Sequence, residues 1–192
     1  MSVPGLSEIA AELQRLGVRY VVVGGGAVAR AYAVATEDVD VLVAAEDYAT
    51  TLAKLRKSPM VGWVEDSPRM ATVRFNLEGG KFELDVIDTT MYSGNKEPDA
   101  FVRYVRSHAS KEVHGVRYAS VPAVWYMRLA CPDWQVYTDK VQRDIAFGVP
   151  AALLDDATAI GQRFGLGAKI RDRAGIVRQG LLDADRAFRR RE

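Results

Sequence analysis

The architecture is set by the segment Val18-Arg-Tyr-Val-Val-Val23-Gly24-Gly25-Gly26-Ala27. Its apolar, β-branched run up to Val23 is typical of a buried strand. Three glycines then interrupt the run, and residues 27–33 have the composition of a short helix. Glycine adopts backbone angles that other residues avoid, so it permits a tight turn with close backbone packing. The segment therefore predicts a strand, a sharp glycine turn and a helix.

Three interpretations of this glycine turn are open. In the first, the glycines serve packing alone. In the second, Gly24-x-Gly26-x-x-Ala29 is a dinucleotide site, because its spacing fits G-x-G-x-x-G/A and an acid, Glu46, follows about 20 residues later. In the third, the backbone N–H groups of the turn hold the triphosphate of a nucleotide at the N-terminus of the helix. The residues that follow the turn discriminate between these interpretations.

Two carboxylates accompany the next predicted strand, residues 39–43. Side chains alternate along a strand, so Asp38 and Asp40 point to the same side of it. Two like charges on one face repel each other unless a cation lies between them or both lie on a solvated edge. A hard divalent cation, Mg²⁺ or Mn²⁺, binds one or two carboxylates together with substrate phosphates. A dinucleotide-binding fold has no use for such a pair, so Asp38 and Asp40 favour the nucleotide interpretation.

A third carboxylate lies in the alternating strand Lys81-Phe-Glu-Leu-Asp-Val-Ile-Asp88. Asp85 stands between Leu84 and Val86, so it belongs to an apolar strand and not to a loop. If this strand lies beside residues 39–43, Asp85 joins the two earlier carboxylates. Three convergent carboxylates are what two-metal phosphoryl transfer requires, with cations about 3.5–4 Å apart. We expect Asp88, by contrast, to cap the segment that follows it.

The rest of the chain separates into two parts near residue 120. Strands and helices alternate before that point, and the pattern is helical from Pro122 onward. We therefore predict a core over residues 1–120 and a helical region, packed on it, over residues 121–192. The remaining predicted elements are helices at 7–16 (Ser7 as N-cap), 47–57 (Asp47 as cap) and 99–108, a hairpin over 70–88 that turns at 78–80, and a small hairpin over 111–121.

Composition excludes several classes of protein. The chain has 192 residues, with 26 Lys and Arg against 25 Asp and Glu, so it does not coat nucleic acid by bulk charge. Cys131 is the single cysteine and cannot form an internal disulfide, which favours a reducing compartment. The two histidines, His108 and His114, are too few for a His-rich metal site. Because no basic leader and no long apolar run is visible, we expect a cytoplasmic protein with no membrane partner.

The motifs Val23-Gly24-Gly25, Asp38-Val-Asp40-Val and Leu84-Asp85-Val86 together resemble the nucleotidyltransferase superfamily, which has the polymerase-β-like fold. Residues 22–29 are especially similar to the small prokaryotic members, which include toxin-type enzymes of abortive-infection and toxin–antitoxin systems. The resemblance continues over residues 113–122, which look like the closing strand pair of these proteins. It also includes Lys140-Val-Gln-Arg-Asp144-Ile145, which is similar to their Lys-x-x-(Lys/Arg)-Asp-x-x-Asp helix, and it covers roughly residues 18–147.

The resemblance implies an α/β (α+β) fold with a mixed, twisted sheet and a helical C-terminal part. It implies transfer of a nucleoside monophosphate from an NTP to a hydroxyl, with release of pyrophosphate. Gly24, Gly25, Gly26 and Lys140 would contact the nucleotide phosphates. Asp38, Asp40 and Asp85 would be the catalytic, Mg²⁺-binding (or Mn²⁺-binding) residues, and Asp85 would also take the proton of the acceptor hydroxyl.

The resemblance leaves the acceptor and the partners open. A tRNA end, a protein hydroxyl and a small molecule are all compatible acceptors, and a second copy of the chain or a cognate antitoxin-like protein is a compatible partner. Two alternative functions also stay open, a catalytically inactive binding module of the same fold and a dinucleotide-dependent oxidoreductase. The aromatic residues Trp125, Tyr126 and Trp134 could stack on a base, although such a cluster is more often part of a core.

Overall fold

The computed structural model describes residues 5–32 and 39–189, with the side chains of a few residues near the C-terminus left aside. The chain divides into two compact units, an N-terminal unit over Met1–Ser120 and a C-terminal unit over Val121–Glu192. The N-terminal unit contains α1 (Leu6–Arg15), β1 (Tyr20–Val23), α2 (Gly24–Tyr32), β2 (Val39–Val43), α3 (Ala45–Leu55), β3 (Val61–Asp66), β4 (Met70–Leu77), β5 (Gly80–Asp88), a 3₁₀ turn (Thr90–Tyr92), α4 (Ala100–His108), β6 (Ser110–Val113) and β7 (Val116–Ala119). The C-terminal unit contains α5 (Val121–Ala130), α6 (Trp134–Ala146), α7 (Leu153–Arg163) and α8 (Gly167–Arg189).

The strands form one mixed sheet in the order β3-β4-β5-β2-β1-β7-β6. The pairs β2–β5 and β1–β7 are parallel, and the other neighbouring pairs are antiparallel. The predicted class, a mixed α/β (α+β) sheet followed by a helical part, is therefore confirmed. Among the described residues, no helix combines the length and the apolar character needed to cross a membrane.

One face of the sheet carries the main hydrophobic core. Val39 and Val41 of β2 and Leu84 and Val86 of β5 are buried in it, together with residues of α1 and α3. Because side chains alternate along a strand, Asp40 and Asp85 lie on the opposite face. Burial of the valines and leucines thus fixes the side on which the carboxylates emerge, since a one-residue slip would move the apolar set out of the core.

Several element boundaries differ from the predictions. The helix after β1 begins at Gly24, not at Ala27, because the chain turns directly from strand to helix. Helix α3 begins at Ala45, and Asp47 does not cap it. The carboxylate of Asp47 accepts hydrogen bonds from Arg19 instead. Asp88 accepts a hydrogen bond from the backbone N–H of Thr90 at 2.7 Å, whereas Thr89 is the N-cap of the 3₁₀ turn.

The edge strand β3 was not predicted. A β-bulge between Val61 and Trp63 breaks the two-residue period, since Val61 pairs with Phe75 while Trp63 pairs with Arg74. Val61 and Val64 consequently both pack against the core although they are three residues apart. An analysis of alternation misses a strand of this kind.

Candidate active site

The glycine turn and β2 meet at one close contact. Gly24 has φ +56°, a conformation that side-chain-bearing residues rarely adopt, and a Cβ built on it would lie 1.6 Å from Oδ2 of Asp40. Only glycine leaves room for this carboxylate. The contact places Asp40 at the N-terminus of α2, where backbone N–H groups without helical partners and the helix dipole favour anions.

Asp40 and Asp85 are direct neighbours in the sheet. They are register partners in the parallel pair of β2 and β5, and adjacent strands lie about 4.8 Å apart. Register partners present their side chains on the same face, so the two carboxylates emerge side by side. The structure thus brings together two of the three predicted carboxylates, whereas Asp38 lies outside the described residues.

Thr72 is a site residue that the sequence analysis did not identify. Its hydroxyl donates a hydrogen bond to Oδ1 of Asp85 at 2.6 Å, and the two residues are register partners in the β4–β5 hairpin. The predicted turn over 78–80 would pair Leu77 with Lys81 and place Val73 opposite Asp85. The structure pairs Leu77 with Gly80, and this shift of one residue places Thr72 opposite Asp85. The hydrogen bond restricts the orientation of the Asp85 carboxylate.

An open, polar surface continues from Asp85 to the sheet edge. On β3 and β4, Trp63 and Arg74 are register partners, and Arg74 is also the register partner of Glu83 on β5. Arg74 forms an ion pair with Glu83, and its guanidinium carbon lies 5.3 Å from the ring centroid of Trp63. Trp63 is 43% exposed. Arg74 and Glu83 therefore lie on the same face of the sheet as Asp85.

The donor set fits a hard divalent cation. Within the described residues no group of three His, Cys, Asp or Glu side chains comes together as a metal site, so the described protein donors are the carboxylates of Asp40 and Asp85. Mg²⁺ takes one or two carboxylates and completes its shell with water and substrate phosphates. The anion-favouring N-terminus of α2 beside Asp40 supplies a place for those phosphates.

Lys140 lies on α6 of the C-terminal unit, with its ammonium 5.3 Å from the ring centroid of Tyr137. Lys140 and Asp144 are four residues apart on one helix, a spacing that favours a local ion pair, but Asp144 has other partners in the structure. The carboxylate of Asp144 is buried and accepts hydrogen bonds from Nε1 of Trp125, at 3.0 Å, and from the guanidinium of Arg128. Trp125 is itself fully buried, so it belongs to the core of this unit and offers no stacking surface.

No model of a known protein family matches the chain, and no curated protein matches it. Its structure is similar to that of a candidate nucleotidyltransferase from Helicobacter pylori, with 11% identity, a TM-score of 0.43 and coverage of 93% of this chain and 94% of that one. A candidate nucleotidyltransferase from Thermotoga maritima matches with 16% identity, a TM-score of 0.46 and coverage of 76% and 95%. The antibiotic-resistance factor ANT(2'')-Ia matches with 14% identity, a TM-score of 0.45 and coverage of 97% and 94%.

Proposed function

We propose that the chain is a Mg²⁺-dependent nucleotidyltransferase that moves a nucleoside monophosphate from an NTP to a hydroxyl acceptor and releases pyrophosphate. The observation that supports this most directly is the contact of Asp40 with Gly24. It sets a carboxylate against the N-terminus of α2, with Asp85 as its register partner on the next strand. In this proposal the two carboxylates bind the cation and the adjacent glycine turn binds the phosphates.

In this proposal the backbone N–H groups at Gly25 and Gly26 donate hydrogen bonds to phosphate oxygens of the nucleotide. Asp40 and Asp85 hold the metal, together with Asp38 by resemblance. When bound, Mg²⁺ or Mn²⁺ offsets the charge of the triphosphate and stabilises the charge that develops during transfer. Lys140 would also contact a phosphate, a role implied by the resemblance of its helix to that of the nucleotidyltransferases.

The acceptor oxygen attacks the α-phosphorus, and the bond between that phosphorus and the oxygen bridging to the β-phosphate breaks. The acceptor proton passes to the carboxylate of Asp85, and pyrophosphate leaves. Thr72 orients Asp85 through its 2.6 Å hydrogen bond, so the carboxylate is held for this proton transfer. Most of the rate would come from positioning and electrostatics.

The position of Asp40 argues against the dinucleotide alternative. A pyrophosphate group at Gly24 would approach a carboxylate that already fills the space beside this glycine. Without a cation, like charges at that distance repel strongly. An inactive binding module would have the same fold as the enzyme. Only a transfer assay distinguishes the two, because the module would transfer no nucleotide.

The acceptor, we propose, is RNA or a protein, and the chain works in the cytoplasm, alone, as a homodimer or with an antitoxin-like partner. The test incubates the purified chain with Mg²⁺, each of the four α-³²P-labelled NTPs, and total RNA or total protein. Label should move to an acceptor with the native chain and not with Asp40→Asn. Glu112→Gln, a change in an exposed acid on β6, should behave as native.

Two results of the accompanying titrations separate the alternatives. Quenching of tryptophan fluorescence by Mg-ATP without any transfer would support the inactive binding module. Metal-independent binding of NADH in the micromolar range would overturn the nucleotidyltransferase proposal in favour of the dinucleotide fold.

A further inference from the structure

A cavity of about 510 Å³ lies within the N-terminal unit, between α1, α2 and the β6–β7 hairpin. Tyr118 of β7 lines the cavity and packs against the main hydrophobic core. Its register partner on β1, Val22, is part of that core. The cavity is therefore on the face of the sheet opposite to Asp40 and Asp85. It shares Gly26 of α2 with the proposed phosphate-binding turn.

The walls of the cavity are largely apolar. α1 contributes Leu6 and Ala10, and the hairpin contributes Val113 and Val116. Small-molecule sites have volumes of about 300–1,000 Å³ and apolar walls with a few convergent polar groups. Among the lining residues that the structure describes, none is an acid.

Arg30 gives the cavity its charge. Gly26 and Arg30 are four residues apart on α2, so they share one face of the helix, and both line the cavity. Arg30 is exposed, and among the described residues it takes part in no ion pair. Burial raises the pKa of the Tyr118 hydroxyl and the charge of Arg30 lowers it, so the guanidinium lies within electrostatic reach of a neutral hydroxyl donor.

The hairpin wall is held in place. Nε2 of Gln14 on α1 donates a hydrogen bond to the carbonyl of Gly115 at 3.0 Å. His114 and Gly115 form the two-residue turn with φ of 50° and 76°, the combination of the type I′ turn that suits the twist of a hairpin. The cavity is thus preformed, and a ligand would not need to order its walls first.

We propose that this cavity binds a small organic acid with an apolar body and one anionic headgroup. The headgroup, a carboxylate or a phosphate monoester, lies against the guanidinium of Arg30 and the hydroxyl of Tyr118. The apolar body lies against Leu6, Ala10 and Val116. Arg30 is suited to either headgroup because its fork of N–H donors pairs with two anionic oxygens at once.

The test is titration of the ¹⁵N-labelled full chain with octanoate, octyl phosphate and octanol, followed by amide chemical shifts. Both anions should perturb amides of α1, α2 and the hairpin, Ala10, Gly26 and Val116 among them. Octanol should bind at least about tenfold more weakly, because it makes no charged hydrogen bond with Arg30. The relative affinities of the two anions identify the preferred headgroup.

Two variants test the assigned residues. Arg30→Gln should weaken octanoate binding at least about tenfold, whereas Arg103→Gln, which alters an exposed arginine on α4, should leave it unchanged. Ala11→Trp replaces an exposed lining residue with a side chain that fills the mouth of the cavity, and it should abolish binding while the spectrum stays folded. Shifts confined to other surfaces, or equal affinities for native chain and Arg30→Gln, would overturn the proposal. None of these readouts depends on nucleotide transfer.

Discussion

Oδ2 of Asp40 occupies the space that a side chain at position 24 would need, 1.6 Å from the ideal Cβ position of Gly24. The two residues belong to different elements, and the antiparallel pairing of β1 with β2, which sets Val23 opposite Asp40, brings them together. The carboxylate of Asp40 can therefore occupy this position only because residue 24 has no side chain.

Gly24→Ala should destabilise the N-terminal unit and abolish nucleotide transfer. The methyl group would overlap Asp40, and alanine is strained at φ +56° by about 1 kcal/mol or more. Thermal unfolding measures the loss. Adding Asp40→Ala should recover part of the stability and none of the activity. Gly175→Ala is the matched control, because its Cβ meets nothing within 4 Å on a helix, and it should stabilise the chain by about 0.5–1 kcal/mol.

Asp40→Asn and Asp85→Asn should each abolish transfer without loss of stability. The two carboxylates are register partners on one face, so replacing either one with a neutral isostere removes a like-charge repulsion in the metal-free chain. Thermal unfolding with and without Mn²⁺ checks this directly. Mn²⁺ should raise the melting temperature of the native chain only, and an equal Mn²⁺ response in both variants would show that the metal binds elsewhere.

Thr72→Val should lower kcat by about 10–100-fold, the usual effect of losing a partner that orients a site ligand. Valine keeps the shape and the strand propensity of threonine but cannot donate to Asp85. Thr72→Ser keeps the hydroxyl and should restore most of the rate, which a purely structural role of Thr72 would not require. Steady-state kinetics of all three proteins, with melting temperatures, make the comparison.

Asp144→Ala should destabilise the C-terminal unit by about 3–5 kcal/mol, because it leaves the guanidinium of Arg128 buried without its counter-charge. The double change Arg128→Met/Asp144→Leu should cost much less, since no charge then remains buried. Asp155→Ala breaks an exposed ion pair with Arg178 and should cost about 0–1 kcal/mol. Urea unfolding of each variant gives the free energies.

Tyr20→Phe should raise stability, by about 1 kcal/mol. Within the described part of the chain, the buried hydroxyl of Tyr20 has no hydrogen-bond partner. Burial, and the charge of Tyr118, raise the pKa of Tyr20 to about 12. A tyrosine in the unfolded chain ionises at about pH 10. Keeping Tyr20 neutral in the folded chain therefore contributes fully to the free energy of unfolding below about pH 10, and this contribution is lost as the pH rises towards 12.

Tyr48→Phe is the control for this pH dependence. Burial raises the pKa of Tyr48 to about 12 as well, but its hydroxyl donates to the carbonyl of Ser67 at 3.1 Å. The free energy of unfolding should therefore fall less steeply between about pH 10 and 12 in both variants than in the native chain. Only Tyr20→Phe should be more stable than the native chain near neutral pH. A stability loss in Tyr20→Phe at neutral pH would contradict the assignment.

The parts of the fold that were predictable from sequence are those governed by local patterns. The glycine turn, the alternation that separates Asp40 and Asp85 from the valines, and the presence of a hairpin between β4 and β5 all follow from neighbours in the chain. The turn of that hairpin is one residue shorter than predicted, because Gly80 pairs with Leu77. β3 was not predicted, because its bulge at Gly62 is set by pairing with β4. The partners of Asp144 lie on another helix, so the four-residue spacing to Lys140 pointed to the wrong pair.

The candidate site was predictable to a similar extent. Asp85 could be assigned because an acid in an apolar strand is conspicuous, whereas Thr72 is an ordinary strand residue whose importance depends on the register of β4 with β5. The start of α2 at Gly24 was also missed, because glycines usually end helices and their place inside the first turn depends on the contact with Asp40. Both omissions concern contacts between residues of different elements, which local spacing does not encode.

The pairing of β2 with β5 also determines when during folding the site is complete. Asp40 and Asp85 are far apart in the chain, and their strands are parallel, with α3, β3 and β4 between them. Contacts of this separation form slowly, because the intervening loop must close before any pairing energy is gained. The antiparallel pair of β1 and β2 needs a shorter loop, so we expect the glycine turn to form first. A nascent or refolding chain would then complete its glycine turn before Asp40 and Asp85 meet, and the proposed transferase chemistry would become available only when the sheet has fully assembled.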